Sequence, residues 1–213
     1  MTCIAGIAHD GLVTIGGDSA GSSGHQLTVR ADRKVFTNGP FLLGITSSYR
    51  MRDILRYRAE LPVAPAGADV DALDRFMATD FVDALRKAFK DGGFAHRGTD
   101  AEKGGTFLVG YRGLLYEIQS DYQVARPLDP FAAVGSGDDV ALGALYATEG
   151  SNLTPGERVE LALRAAERFD SYVRGPFTIV ELGWEAPESP PDPVVRDEEI
   201  DQLLLEAIAT MED

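Results

Sequence analysis

The chain has 213 residues, 44% of them apolar and 25% charged, which excludes a disordered chain and allows one sizeable core. Twenty basic and 34 acidic residues give a formal net charge of −14, so phosphate backbones and anionic lipid repel it; neither nucleic acid nor a membrane is an expected partner. A single cysteine, Cys3, excludes an intramolecular disulfide and a cysteine-rich zinc site and fits a reducing compartment, so the cytoplasm is the expected location.

The elements are read in chain order. Thr2 to Ala8 is β-compatible, His9-Asp10-Gly11 turns the chain, and Leu12 to Ile15 returns as a second strand ending at Gly16-Gly17-Asp18. Ser19 to Gln26 is polar and rich in small residues, and reads as a loop. Lys34-Val35-Phe36 is a short strand, and Phe41 to Ile45 a buried one. Arg50 to Leu61 and Val70 to Lys90 have helical spacing, the second with Leu73, Phe76, Met77, Phe81, Leu85 and Phe89 on one face. Phe94 to Gly105 is expected to be a polar loop. Thr106 to Tyr111, Leu114 to Ile118 and Phe131 to Val134 are strands. Gly135-Ser136-Gly137 turns tightly into two helices, Asp138 to Ala147 and Pro155 to Val173, and Phe177 to Leu182 is a closing strand.

The last thirty residues differ. Glu185 to Pro193 holds four prolines and reads as a linker. Arg196 to Asp213 places Ile200, Leu203, Leu204, Ala207, Ile208 and Met211 at helical spacing. The expected organisation is therefore one domain over 1–183, followed by a linker and an acidic amphipathic helix over 184–213. No run approaches the ~20 apolar residues needed to span a bilayer, and the first ten residues lack the pattern of a signal peptide.

Much familiar chemistry is missing. The three histidines, His9, His25 and His96, are far apart, so no helical metal pair exists. There is no phosphate-binding Gly-Lys-Ser/Thr loop and no Gly-x-Ser-x-Gly elbow. No metal and no organic cofactor is expected.

Thr2 is different. Removal of Met1 would free an amine on a residue whose own hydroxyl is a nucleophile, and that amine can serve as the general base. An α-amine has a pKa near ~8, so a neighbouring cation would bring it into range for proton transfer at neutral pH. Asp18 ends the second strand of the hairpin that Thr2 opens, Lys34 starts the next short strand, and Ser136 lies between two glycines.

These residues, in this order, resemble the proteasome β-subunit and HslV-type family of N-terminal nucleophile (Ntn) hydrolases, in a bacterial or phage-associated branch. The resemblance runs from Thr2 to about Leu182. It implies an α+β fold, a four-layer αββα sandwich of two antiparallel sheets covered by helix pairs. It implies Thr2 as the catalytic threonine, Lys34 as the lysine that tunes its amine, and Asp18 as the aspartate that positions Lys34. Gly44 falls at an oxyanion glycine, and Ser136 at the serine bonded to the amine. Asp170 is matched to a further family acid only across a gap. Ser22 and Thr46 fall where substrate backbone is held, and Leu42 near the pocket for the residue before the cut bond. The implied activity is threonine-type cleavage of peptide or amide bonds, dependent on loss of Met1. The implied partners are a peptide or unfolded-protein substrate, further copies in a ring or arc, and an ATPase. Two other readings stay open: a catalytically silent assembly protein with the same fold, and an Ntn amidase acting on a small molecule.

Overall fold

The computed structural model describes residues 2–23, 26–94, 96–97 and 102–184. The proposed linker and C-terminal helix lie outside these, as does Met1.

The chain starts with β1 (Cys3–His9) and β2 (Leu12–Gly17), then β3 (Ala20–Ser23), β4 (Gln26–Val29), β5 (Val35–Asn38) and β6 (Phe41–Ile45). Helix α1 (Tyr49–Tyr57) follows, then α2 (Val70–Phe76), which runs through a π turn (Met77–Phe81) into α3 (Val82–Asp91). Two short strands, β7 (His96–Arg97) and β8 (Glu102–Lys103), precede β9 (Phe107–Tyr111), β10 (Leu114–Ile118), β11 (Val124–Ala125) and β12 (Phe131–Gly135). Helices α4 (Asp138–Ala147) and α5 (Pro155–Phe169) lead to β13 (Thr178–Gly183).

These elements form two main antiparallel sheets. One has the order β12-β1-β2-β13, the other β11-β10-β9-β6-β5. The first is organised by the β1–β2 hairpin, whose two-residue turn puts Asp10 (φ 46) and Gly11 (φ 75) in the left-handed region. That turn type follows the twist of the strands, and Asp and Gly adopt it readily.

Three apolar layers separate four layers of structure. Ile4, Val13, Ile15, Leu42, Leu108 and Val134 meet between the two sheets. Cys3, Ala5 and Ile7, on the opposite face of β1, pack under Val159, Ala162 and Leu163 of α5. Phe41, Leu43 and Ile45 of β6 pack instead with Met51, Ile54, Phe81 and Leu85 from α1, the π turn and α3. The period-two alternation of β1 and β6 thus sets the layering. The sandwich expected from the resemblance is the observed architecture.

Four local expectations change. Phe94 to Gly105 is not all loop, because β7 and β8 pair in the register His96↔Lys103 and Arg97↔Glu102. Ser19 to Gln26 is not all loop, because β3 and β4 pair as a ribbon in the register Ala20↔Val29 to Ser23↔Gln26. The ribbon is made by backbone pairing, which the small, polar residues of β3 do not advertise. The 70–90 helix contains the π turn, and within it Thr79 Oγ1 donates back to the Arg75 carbonyl at 2.8 Å. Such a back-bond competes with the helical ladder. Helix α5 stops at Phe169: Asp170 turns extended (φ −107, ψ 123), and its Oδ1 accepts from the Tyr172 N–H at 2.7 Å.

Candidate active site

Three segments from distant parts of the sequence meet at the start of β1. The Thr2 carbonyl accepts from Ser136 N at 2.8 Å and from Gly137 N at 3.3 Å, which ties the start of the chain to the turn after β12. Gly135 allows this approach: it has φ 117, and a Cβ there would collide with the Thr2 carbonyl. The Thr2 N–H donates to Ser136 Oγ at 3.2 Å.

Asp18 follows the last residue of β2. Its carboxylate is fully buried and accepts four hydrogen bonds. Oδ1 takes the Lys34 ammonium at 2.7 Å and the Cys3 N–H at 3.1 Å. Oδ2 takes the Ala20 N–H at 2.9 Å and the Arg174 N–H at 3.4 Å. Three backbone donors thus fix the carboxylate, and the carboxylate fixes Lys34. Lys34 also donates from Nζ to Thr2 Oγ1. Burial pushes the Lys34 pKa below its ordinary value, and Asp18 offsets part of that fall. The hydroxyl of a potential nucleophile therefore sits against a buried, oriented lysine.

Two further groups surround the start of β1. Cys3 is fully buried, and burial, with Asp18, Asp138 and Asp170 adding to it, pushes its thiol up to about 12. It is no rival nucleophile at neutral pH. Asp170 acts on this region only from a distance, since its carboxylate is engaged with the loop that follows α5.

Thr2 and Lys34 form the floor of an open cleft with about 400 Å³ of empty space. One wall is Ala20, Gly21 and Ser22 of β3; the other is the segment from Ile45 through Ser48 into α1. Ser22 and Thr46 both line it. The Thr46 side chain is bonded to the Thr106 carbonyl, so it is held rather than free.

Gly44 and Leu42 do not line the cleft. Both lie on the face of β6 that meets the other sheet: Leu42 is in the inter-sheet core, and a Cβ on Gly44 would stand 2.7 Å from Ile15. The alternation of β6 turns Ile45, not Leu42, to the cleft side. Ser47, three residues after Gly44, lines the cleft where Gly44 does not. It is in the left-handed region (φ 55), and no described hydrogen bond uses its N–H. The signal was the polar run Thr46-Ser47-Ser48 between an apolar strand and a helix, masked because serine rarely adopts a positive φ. Tyr49 and Arg52 of α1 also line the cleft and were missed. Among the described residues no cluster of His, Cys, Asp and Glu could hold a metal ion, and no helix is long and apolar enough to cross a membrane.

Two antiparallel sheets between helix layers, with Thr2 at the start of the first strand, are the fold of the proteasome-like Ntn hydrolases. Among solved structures, BPH from Thiobacillus denitrificans, a bacterial proteasome homologue, in complex with epoxomicin, is similar to this chain at a TM-score of 0.70 and 22% identity, covering 86% of this chain and 100% of that one. HslV from Trypanosoma brucei is similar at a TM-score of 0.61 and 17% identity, with 86% and 100% covered. The Anbu (Gly-1) mutant from Hyphomicrobium sp. strain MC1 is similar at 0.60 and 15%, with 100% and 96% covered. No family model and no curated protein matches the chain.

Proposed function

We propose that this chain is a threonine-type Ntn hydrolase that cleaves peptide bonds once Met1 is removed. The observation that carries the reading is the Lys34 ammonium, held by buried Asp18 and donating to Thr2 Oγ1 at the head of an open cleft. In the processed chain the Thr2 amine, beside Ser136, takes the proton from Oγ as Oγ bonds to the substrate carbonyl carbon. Lys34 keeps that amine unprotonated by like-charge repulsion. The Ser47 N–H, in place of Gly44, donates to the developing oxyanion; such a donor is commonly worth about 3 kcal/mol. The amine returns the proton to the leaving nitrogen as the C–N bond breaks, and water then hydrolyses the ester. Asp170 serves this centre through the loop that carries Arg174.

A peptide suits the cleft better than a small amide. β3 lies along the cleft as one strand of a two-stranded ribbon, so an extended chain can pair with it beside Ser22. Self-association belongs to the same proposal: Tyr146 of α4 and Phe169 of α5 stand 71% and 75% exposed on the outer helix layer.

The test is the intact mass of the native-expressed protein before and after an epoxyketone. Loss of Met1 and one adduct on Thr2 are expected, with no adduct and no turnover in Thr2→Ala. A retained Met1 with no adduct would instead favour a silent assembly protein.

A further inference from the structure

The cleft is cationic in a protein that is strongly acidic. Among the described residues its ionisable lining side chains are Lys34, Tyr49 and Arg52, with no carboxylate on either wall. Burial pushes the Tyr49 hydroxyl up to about 12, so it stays neutral, and it donates to the Ala20 carbonyl at 3.2 Å. Asp18 answers the charge of Lys34 from below.

Arg52 is the group left over. Its side chain is only 7% exposed. Nε donates to the Arg33 carbonyl at 3.1 Å and Nη1 to Asp53 Oδ1 at 2.6 Å, while no described hydrogen bond uses Nη2. Asp53 is 46% exposed, so solvent screens its charge far more than that of Arg52. Helix α1 adds to the same field. Its first turn begins at the cleft with Tyr49; the Ser48 hydroxyl caps it by accepting from Arg50 N at 3.1 Å, but it carries no acidic residue to neutralise the positive end of its dipole. A buried guanidinium whose Nη2 no described hydrogen bond uses and a helix start capped by Ser48 line the same small space.

We propose that Arg52 makes the cleft selective for an acidic side chain, glutamate or aspartate, on the residue just before the cut bond. The proposal rests on the hydrolase reading for which bond is cut, but the selectivity of the cleft can be measured without turnover. A carboxylate entering there would meet Nη2 and the start of α1, forming a charge-assisted pair. A cationic side chain would meet the like charges of Lys34 and Arg52, whose acids Asp18 and Asp53 are already engaged with them, which disfavours it.

Two readouts test this. With the processed chain, kcat/KM is compared for fluorogenic tetrapeptide amides that differ only in a last residue of Glu, Gln, Leu or Arg. With Thr2→Ala, binding of the matching Glu and Gln tetrapeptide carboxamides is measured by anisotropy. Glu is expected to exceed Gln by about ten-fold or more in both, and Arg to be poorest. Arg52→Gln should bring the Glu:Gln ratio to about one, and Arg52→Lys should keep part of it. Should Arg52→Gln fail to fold, Arg52→Lys and a salt series decide, since the ratio must fall as salt rises. Equal handling of Glu and Gln, or a ratio unchanged in Arg52→Gln or insensitive to salt, overturns the proposal. Selective binding to Thr2→Ala, with no turnover and no adduct on the processed chain, would overturn the hydrolase reading and leave the selectivity standing.

Discussion

The two helix–sheet layers are built from different materials. Under α1–α3 the core is aromatic: Phe41 stacks on Tyr111 at 4.3 Å and meets Phe81 at 5.2 Å, with Phe76, Phe89 and Tyr116 around them. Under α4 and α5 half of the buried residues are small, namely Cys3, Ala5, Ala133, Ala141, Ala162 and Ala166, set among Ile7, Phe131, Leu145, Val159, Leu163 and Val173. A Cβ on Gly16 of β2 would collide with Val159 and stand 2.9 Å from Leu163, so the helix lies almost on the strand backbone. The difference follows from the site. The start of β1, the end of β2 and the turn after β12 all belong to the thin layer, where close backbone approach fixes atoms by peptide hydrogen bonds. The thick layer supplies hydrophobic stabilisation at a distance from the chemistry.

The largest expected effect comes from breaking the thin layer at its charge pair. Lys34→Met should lower turnover by about 10²–10⁴, the range for loss of a general base, because the Thr2 amine would then hold its proton at neutral pH. It should also lower stability by about 3–5 kcal/mol, because Asp18 stays buried without its cation. Chemical denaturation alongside an activity assay reads both, and an unchanged midpoint would show that the pair is not structurally coupled.

The thick layer should separate the two quantities. Phe41→Ala is expected to cost about 3–5 kcal/mol of stability. The folded fraction should retain its kcat, since Phe41 lies on the far side of β6 from the sheet that carries Thr2. Gly16→Val should do the reverse, with about 1–3 kcal/mol lost to overpacking and a larger loss of activity as α5 and β2 move apart.

The thin layer was also the more legible in sequence. The Thr2–Asp18–Lys34–Ser136 set came from the family resemblance; from the residues alone, the hairpin accounts for Asp18 returning beside Thr2. Glycines and small residues marked where backbones approach. Gly44 and Leu42 failed for a related reason: both lie in a strand whose register against the opposite sheet decides which face they take, and an all-apolar strand carries no alternation to reveal it. Ser47 and Arg52 were not named from the sequence because the roles proposed for them depend on a positive φ and a guanidinium edge, features with no residue-type signature. The β3–β4 ribbon escaped because backbone pairing leaves no pattern in Ala-Gly-Ser-Ser.

Alkaline pH probes the thin layer more gently. The Cys3 thiol is held up to about 12, against an ordinary value of 9.0. Between these values the folded state keeps a proton that the unfolded chain gives up. Stability from this group is therefore full below pH 9 and is lost as pH rises toward 12. Lys34 acts oppositely, because its pKa is lowered and the unfolded chain holds the extra proton up to its ordinary value of 10.5. Cys3→Ala isolates the thiol: between about pH 9 and about pH 10.5 its stability should fall less than that of the parent, by about 1–2 kcal/mol. Parallel urea curves across that range would rule out the shift.

The smallest effect is expected where neither layer's special features are touched. Thr154 and Glu157 form a reciprocal cap at the start of α5: Thr154 Oγ1 accepts from Glu157 N at 3.3 Å, and Glu157 Oε2 accepts from Thr154 N at 2.8 Å. Thr154→Ala should cost about 1 kcal/mol, the ordinary value for an N-cap. Yet α5 is the helix that lies on Gly16, and its far end leads into the loop that bonds Asp18 through Arg174. If fraying of the first turn travelled along the helix, Thr154→Ala would lower kcat as well as the melting temperature. We expect only the melting temperature to move, because Val159, Ala162, Leu163 and Ala166 hold α5 on the sheet beyond its first turn. A matching fall in kcat would mean that the thin layer is positioned by the whole length of α5 and not only by the contacts beneath it.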